Sequence, residues 1–126
     1  METKAVPQVL TIAGTDSGGG AGIQADMKTM QERHVFSTCV VVAVTAQNTL
    51  GVLDVEVMPK SMIDHQFQAL AEDLDIQVAK TGMLANTEVV NAVVENYQKY
   101  DFGPLVVDPV MIAKGGAKLL SDDAIE

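Results

Sequence analysis

Glycine is concentrated in residues 14–22, where five of the nine positions are glycine. Glycine has no Cβ atom, so a ligand can come close to such a backbone, and positive φ angles are allowed. An apolar run precedes this segment and a helical pattern over 23–33 follows it. A strand, a glycine loop and a helix N-terminus bring free N–H groups and the positive end of the helix dipole together. We therefore expect an anion or a small polar ligand here, with Gly19 and Gly20 near phosphate.

This glycine segment fits neither of two common nucleotide-binding motifs completely. A P-loop requires a lysine directly after its last glycine, whereas the nearest Lys-Thr pair, Lys28-Thr29, lies inside the following helical pattern. Residues 20–25 match the looser dinucleotide pattern G-x-G-x-x-A, which also requires an acidic residue about 20 positions further on. No Asp or Glu occurs between Arg33 and Leu53, which argues against a dinucleotide site. A glycine turn without a ligand is the remaining alternative.

Three further polar side chains are candidates for ligand contacts. Gln47 follows a β-branched run, and its amide can bind a ring nitrogen and an adjacent amino group together. Asp26 lies one helical turn after Gly22 and could accept a hydrogen bond from a substrate hydroxyl. Asp108 ends the last apolar run, where a carboxylate can hold Mg²⁺ directly or through water. The structural alternatives are a turn glutamine, a surface carboxylate and a strand-end aspartate.

The remaining candidates are apolar or have no partner of the right type. Met83 and Val110 could sandwich a flat ring, although apolar residues at strand ends usually belong to the core. His34 and His65 have no second His or Cys at ligand spacing, so a zinc site is not predicted. Cys39 is the sole cysteine and lies in an apolar run, which excludes an internal disulfide and favours a buried role.

Strand and helix patterns alternate along the chain and must position these residues. Strands are predicted at 9–13, 35–45, 53–57, 76–79 and 105–107, the second covered on both faces and the third half-exposed. Helices are predicted at 23–33, after Pro59, and after an N-cap at Asn86. Their expected buried stripes are Ile23, Met27 and Met30; Ile63, Phe67, Leu70 and Leu74; and Val90, Val93, Val94 and Tyr97.

This alternation indicates right-handed crossovers and a mostly parallel sheet. The predicted fold class is therefore α/β, with helices flanking a mostly parallel sheet in a single domain over residues 1–126. Ligands of such sheets bind beyond the carboxyl ends of the strands, where the glycine segment, Gln47, Met83 and Asp108 would converge. Ser121 starts a helix that few residues follow, so we expect the domain to be incomplete at its C-terminus.

Composition and charge limit the partners that this chain can have. Hydrophobic residues make up 48% of the sequence, which is enough for a core. The net charge of −9 argues against nucleic acid or an anionic membrane as a partner, because both require a basic face. The sequence has no signal peptide and no apolar span of membrane length. We expect a cytoplasmic protein that binds a small molecule.

Several motifs in register resemble one known family. Residues 10–16, LTIAGTD, and 19–26, GGAGIQAD, resemble the opening of the hydroxymethylpyrimidine/phosphomethylpyrimidine kinases of thiamine biosynthesis, which belong to the ribokinase-like superfamily. Residues 45–49 (TAQNT), 80–84 (KTGML) and 107–111 (VDPVM) follow in the family's order. Gly18 departs from the family, which usually has Ser at this position.

The resemblance implies a ribokinase-like fold and a phosphotransferase that uses ATP and Mg²⁺. Its pyrimidine substrate is phosphorylated on the hydroxymethyl oxygen and then once more to the diphosphate. Gln47 would bind the aminopyrimidine, in a pocket lined also by Gly14, Asp26, Met83 and Val110. Asp108 would lie near the magnesium and the phosphates.

The family takes its catalytic base and anion hole from a second glycine-rich loop in its C-terminal half, and this chain has no such loop. The chain is therefore expected to be an inactive N-terminal portion that carries the substrate half, and its exposed sheet edge predicts a homo-oligomer. Two alternatives remain. One is a pyridoxine/pyridoxal kinase-like protein, although Gln47 favours the aminopyrimidine. The other is a non-catalytic small-molecule binding module.

Overall fold

A computed structural model of the chain describes residues 6–109, which form one five-stranded sheet and three helices. The strands are β1 (Gln8–Gly14), β2 (Phe36–Asn48), β3 (Gly51–Val57), β4 (Ile76–Thr81) and β5 (Leu105–Val107). The helices are α1 (Gly22–Glu32), α2 (Lys60–Asp73) and α3 (Thr87–Lys99). The predicted α/β class and the order of elements are confirmed. The predicted helix start at Ser121 lies outside the described residues.

The sheet is mostly parallel, with strand order β3-β2-β1-β4-β5. β1 pairs in parallel with β2 and β4, β4 pairs in parallel with β5, and β3 is antiparallel to β2. From β1 the chain continues to β2, towards one edge of the sheet. From β4 it continues to β5, towards the other edge. Right-handed crossovers therefore place α1 on one face and α3 on the opposite face. α2 lies on the same face as α3, since buried side chains of both helices belong to one core. The crevice between the carboxyl ends of β1 and β4 is the switch point where ligands bind in such sheets.

The main core lies between the sheet and helices α2 and α3. Leu10, Ile12, Val40 and Val42 of the sheet pack with Ile63 and Phe67 of α2 and with Val89 and Val93 of α3. Phe102 closes this core, with its ring centroid 5.7 Å from that of Phe67 and 5.9 Å from that of Tyr97. Each fully buried side chain of this size contributes about 1.5–3 kcal/mol relative to an exposed one. This packing holds the strand ends in place.

The buried stripe of α3 is one residue away from the predicted one. Val94 is 46% exposed, and the buried residues of the helix are Val89, Ala92, Val93 and Asn96. Asn96 can be buried because its Nδ2 donates to Asp64 Oδ1 at 2.7 Å and to the Ala92 carbonyl at 2.8 Å. The predicted N-cap is confirmed, since the Asn86 side chain accepts from Val89 N at 2.9 Å.

The end of β2 and the whole of β3 form a two-stranded ribbon that extends past β1. β1 ends at Gly14, which pairs with Ala43, so only β3 pairs with residues 44–48. The prediction that β2 is covered on both faces fails here, because Val44 is exposed. The prediction of a half-exposed β3 also fails, because its residues 53–56 are all exposed and Leu53 is 87% exposed. No helix within residues 6–109 is both long and apolar enough to cross a membrane.

Candidate functional site

A cavity of about 240 Å³ lies at the switch point, beyond the carboxyl ends of β1 and β4 and beside the start of α1. Its lining includes five of the residues predicted from the sequence, namely Gly14, Asp26, Gln47, Met83 and Asp108. They come from α1, from three strand ends and from the segment after β4. Val110 lies outside the described residues. The predicted convergence at one edge of the sheet is therefore present for these five.

Two glycines allow the floor of the cavity to pack closely. A Cβ atom on Gly14 would lie 2.2 Å from Met83 Cε, so glycine lets the methionine side chain lie over the end of β1, and a larger residue would displace its terminal methyl group. Gly14 N also donates to the Met83 carbonyl at 3.2 Å. At Gly22, φ is +60° and a Cβ atom would lie 2.5 Å from Gly14 O. The start of α1 can therefore reach the end of β1 only with glycine at this position.

The glycine loop is held by an internal carboxylate. Asp16 is buried, and its two carboxylate oxygens accept from Gly18 N at 2.8 Å and from Gly20 N at 3.1 Å. Gly19 N donates to the Asp16 carbonyl at 2.9 Å. Neither Gly19 nor Gly20 lines the cavity, and the placement of phosphate near these two glycines stays a prediction. An aspartate just before a glycine run is a known turn signal that explains this arrangement.

Hydroxyl groups attach the glycine loop to the end of β2. Thr45 N donates to Thr15 Oγ1 at 3.0 Å, and Thr45 Oγ1 donates to the Thr15 carbonyl at 2.7 Å. Two residues further on, Gln47 N donates to Ser17 Oγ at 2.7 Å, and Ser17 Oγ donates to the Gln47 carbonyl. These reciprocal bonds continue the pairing of β1 with β2 beyond the last regular strand pair. They fix the Gln47 backbone at the rim of the cavity.

Asp26 is held by a cation and a hydroxyl. Its Oδ2 accepts from Lys80 Nζ at 2.9 Å and from Thr11 Oγ1 at 2.6 Å. Thr11 is fully buried, and the Lys80 and Asp26 side chains are 23% and 21% exposed. Lys80 lines the cavity and was missed as a site residue. The signal was available, because a lone lysine sits within an otherwise uncharged strand.

Asp108 follows β5 at the edge of the cavity. It is exposed, and its backbone N donates to the Thr81 carbonyl at 3.1 Å. Among residues 6–109 no three His, Cys, Asp or Glu side chains are grouped so that they could hold a metal ion. The cavity lining contains three carboxylates, of which Asp16 accepts from loop N–H groups and Asp26 is paired with Lys80. Asp108 is therefore the exposed carboxylate that this part of the cavity would offer to a cation.

The remaining candidates lie away from the cavity. Cys39 is only partly buried in β2, and burial raises the pKa of its thiol. His34 and His65 are exposed. None of these three residues lines the cavity.

Comparisons with known proteins agree on one family. The sequence profile that describes phosphomethylpyrimidine kinases matches residues 16–126. The hydroxymethylpyrimidine/phosphomethylpyrimidine kinase of Haemophilus influenzae is 56% identical over 120 residues, which are 95% of this chain and 45% of that protein. The protein with the same name from Bacillus subtilis is 52% identical over 118 residues, which are 94% of this chain and 44% of that protein.

Solved structures show the same fold. The phosphomethylpyrimidine kinase of Clostridium difficile superposes with a TM-score of 0.88 at 47% identity, covering 94% of this chain and 52% of that one. The pyridoxal kinase of Staphylococcus aureus in complex with pyridoxal superposes with a TM-score of 0.76 at 34% identity, covering 87% of this chain and 42% of that one. The chain thus spans about half the length of the relatives it matches, or less.

Proposed function

Because this chain belongs to the phosphomethylpyrimidine kinase family, we propose that it carries the substrate-binding half of an ATP-dependent kinase of thiamine biosynthesis. The substrate is 4-amino-5-hydroxymethyl-2-methylpyrimidine, which is phosphorylated on its hydroxymethyl oxygen and then again on the resulting monophosphate. The observation that carries this proposal is the shared cavity, which brings Gln47, Asp26 and Met83 together at the switch point of the sheet.

Each of these residues suits one part of that substrate. The Gln47 amide offers donors and an acceptor to the ring nitrogen and the amino group. Met83 and Gly14 form a closely packed surface against which a flat ring can lie, because Gly14 leaves no side chain in the way. Asp26 is an acceptor whose Oδ2 is already bonded to Lys80 and Thr11, so Oδ1 is the oxygen proposed to accept from the substrate hydroxyl.

The phosphoryl donor requires groups that residues 6–109 do not assemble. We assign Asp108 a place near Mg²⁺ and the phosphates, because it is a carboxylate at the edge of the cavity. Bound Mg²⁺ would neutralise charge on the phosphates that are transferred. We propose that the catalytic base and most of the nucleotide site belong to the part of the relatives that this chain does not span.

Calorimetry with the free aminopyrimidine tests the substrate site. We expect the 126-residue chain to bind it, and Gln47→Ala to weaken binding about tenfold or more, because a bidentate amide contact is worth about 1–3 kcal/mol. Gln98→Ala is the matched control, since Gln98 is an exposed glutamine of α3 outside the cavity. Equal affinity of Gln47→Ala and the unaltered chain would refute the site.

A phosphorylation assay tests whether the catalytic groups lie outside this chain. The 126-residue chain is expected to give no ATP-dependent phosphorylation of the pyrimidine, because the base and the anion hole are assigned elsewhere. Turnover comparable to that of a relative of full length would refute this assignment.

One other function is favoured by a specific observation. The likeness to a pyridoxal kinase solved with pyridoxal supports a pyridoxal-like substrate as the second candidate. Calorimetry with pyridoxal separates the two, because tighter binding of pyridoxal than of the aminopyrimidine would favour the second. A non-catalytic binding module is the third candidate. It requires that the chain binds the small molecule tightly and that no added partner restores phosphorylation.

Assembly and location stay predictions. A homo-oligomer is supported by exposed apolar side chains on both edge strands of the sheet, Leu53 on β3 and Val106 and Val107 on β5. A sharp monomeric elution in size-exclusion chromatography would contradict it. The predicted cytoplasmic location is that of a kinase acting on a small soluble metabolite.

A further inference from the structure

We propose that Thr45 determines which way the Gln47 amide faces, and that it thereby makes the cavity selective for a ring with an acceptor nitrogen next to an amino group. This inference rests on the proposed function, because it concerns the residue that recognises the substrate ring. Thr45 is only 4% exposed and lines the cavity two residues before Gln47 on β2. Its role would be that of a positioning residue.

The Thr45 hydroxyl has one proton and two neighbouring oxygens. Thr45 Oγ1 lies 2.7 Å from the Thr15 carbonyl oxygen and 3.2 Å from Gln47 Oε1. A backbone carbonyl oxygen can only accept, so the shorter contact takes the proton. The hydroxyl oxygen then presents lone pairs to the Gln47 amide, and an amide oxygen facing them would have no proton to share.

Rotating the Gln47 amide by 180° gives the Thr45 hydroxyl a donor in place of a second acceptor. Amide oxygen and nitrogen occupy nearly the same space, and their positions follow from the hydrogen bonds that they can make. With Nε2 towards Thr45 Oγ1, one N–H donates to the hydroxyl, which itself donates to the Thr15 carbonyl. The second N–H and Oε1 are then left for the ligand, one donor beside one acceptor.

This order of donor and acceptor determines which edge of a ligand ring can bind. A ring nitrogen accepts from the free N–H, and an amino group on the next carbon donates to Oε1. The Gln47 backbone N–H and carbonyl are both bonded to Ser17, so the freedom that remains is that of the side chain, and Thr45 Oγ1 is the group that contacts its amide. A freely rotating amide would also accept edges with the opposite order, at the cost of ordering itself on binding.

The test compares two ligands and three variants of the full chain. The ligands are 4-amino-5-hydroxymethyl-2-methylpyrimidine and the same pyrimidine without its amino group, titrated by calorimetry. Thr45→Val removes the hydroxyl and keeps the shape, whereas Thr45→Ser keeps the hydroxyl. We expect the preference for the amino compound to fall about tenfold in Thr45→Val, the loss typical of one hydrogen bond, and to persist in Thr45→Ser.

Thr38→Val is the matched control. Thr38 lies on the same strand, is similarly buried, and its Oγ1 donates to the Val9 carbonyl of β1 at 2.8 Å. It does not line the cavity, so its substitution should cost similar stability and leave the ligand preference unchanged. An unchanged preference in Thr45→Val, or an equal change in Thr38→Val, would overturn the inference.

The outcomes separate this inference from the function on which it rests. If the unaltered chain does not bind the aminopyrimidine, both fall; if it binds and Thr45→Val keeps the preference, only the role of Thr45 falls. A measurement on the unaltered chain covers the case in which Thr45→Val does not fold. Nuclear Overhauser effects should connect a Gln47 Nε2 proton with the Thr45 methyl group, and their absence with assigned signals would contradict the proposed amide orientation.

Discussion

The ion pair between Lys80 and Asp26 is expected to stabilise the protein far more than an ordinary surface pair. Lys80 Nζ and Asp26 Oδ2 are 2.9 Å apart, and the two side chains are only 23% and 21% exposed. A second pair, Lys60–Asp64, has almost the same length of 2.8 Å but side chains that are 45% and 36% exposed. The chain therefore offers a more exposed pair of similar length for comparison, in which Lys60 also contacts Glu95 at 3.1 Å and Asp64 also accepts from Asn96.

The expected magnitude follows from this burial. Exposed pairs contribute about 0–1 kcal/mol. Removing one partner of a fully buried pair costs about 3–5 kcal/mol, because the other charge is left without compensation. Asp26 keeps the hydroxyl of Thr11 at 2.6 Å when Lys80 is replaced, which reduces the loss. We therefore expect Lys80→Met to cost about 2 kcal/mol, between the exposed and buried limits.

Two double-mutant cycles measure the difference. Urea unfolding of Lys80→Met, Asp26→Asn and the double variant gives the coupling free energy of the cavity pair. The same set with Lys60→Met and Asp64→Asn gives that of the exposed pair, expected near 0.3–0.5 kcal/mol, roughly the value for i,i+4 helix pairs. High salt should weaken the exposed pair more than the cavity pair. A coupling of the cavity pair no larger than that of the exposed pair would refute the reasoning.

Two further predictions concern the loop and the acid dependence of stability. Gly22→Ala should lower the free energy of unfolding by about 2 kcal/mol or more, since left-handed φ alone costs about 1–2 kcal/mol; a Cβ atom there would also lie 2.5 Å from a backbone oxygen. Gly51→Ala, with nothing within 4 Å of the added Cβ atom, should give an unchanged urea midpoint, and equal effects of the two would contradict the packing argument. Hydrogen bonds from Lys60 and Asn96 lower the pKa of Asp64 below its ordinary value of 3.8. This contribution is present above pH 3.8 and is lost as the pH falls through the lower folded pKa, so Asp64→Asn should flatten the decrease in stability below about pH 4. An unchanged acid transition would contradict it.

The order of elements could be predicted because hydrophobic periodicity determines it. Ile63 and Phe67 on α2 are buried, as the hydrophobic pattern indicates. The carboxyl ends of the predicted strands meet at one cavity. α3 shows the limit of this approach. A polar residue, Asn96, occupies its buried face because Asp64 on another helix accepts its hydrogen bond, and periodicity in one helix cannot reveal such a partner.

At the site, too, the sequence predicts candidate residues but not their hydrogen-bond partners. Gln47 and Asp26 are predicted from their chemistry, but hydrogen-bond partners of both come from segments distant in sequence, Ser17 for the Gln47 backbone and Lys80 for the Asp26 carboxylate. The sequence predicts an anion or a small polar ligand at the glycine loop, and it does not tell whether an internal carboxylate will accept from the loop N–H groups. Asp16 does so, and the sheet register decides it by placing the loop against β2.

The same internal hydrogen bonds affect which ligand the described residues can bind. Lys80 is the cation that lines the cavity within the described part of the chain, and it is paired with Asp26. Lys28, near the loop, donates to the Gly19 carbonyl at 2.9 Å. Since loop N–H groups are also bonded to Asp16, we expect the described residues to bind the neutral ring more tightly than a triphosphate. Titration of the chain with ATP should therefore give much weaker binding than titration with the aminopyrimidine, and the opposite order would contradict this expectation.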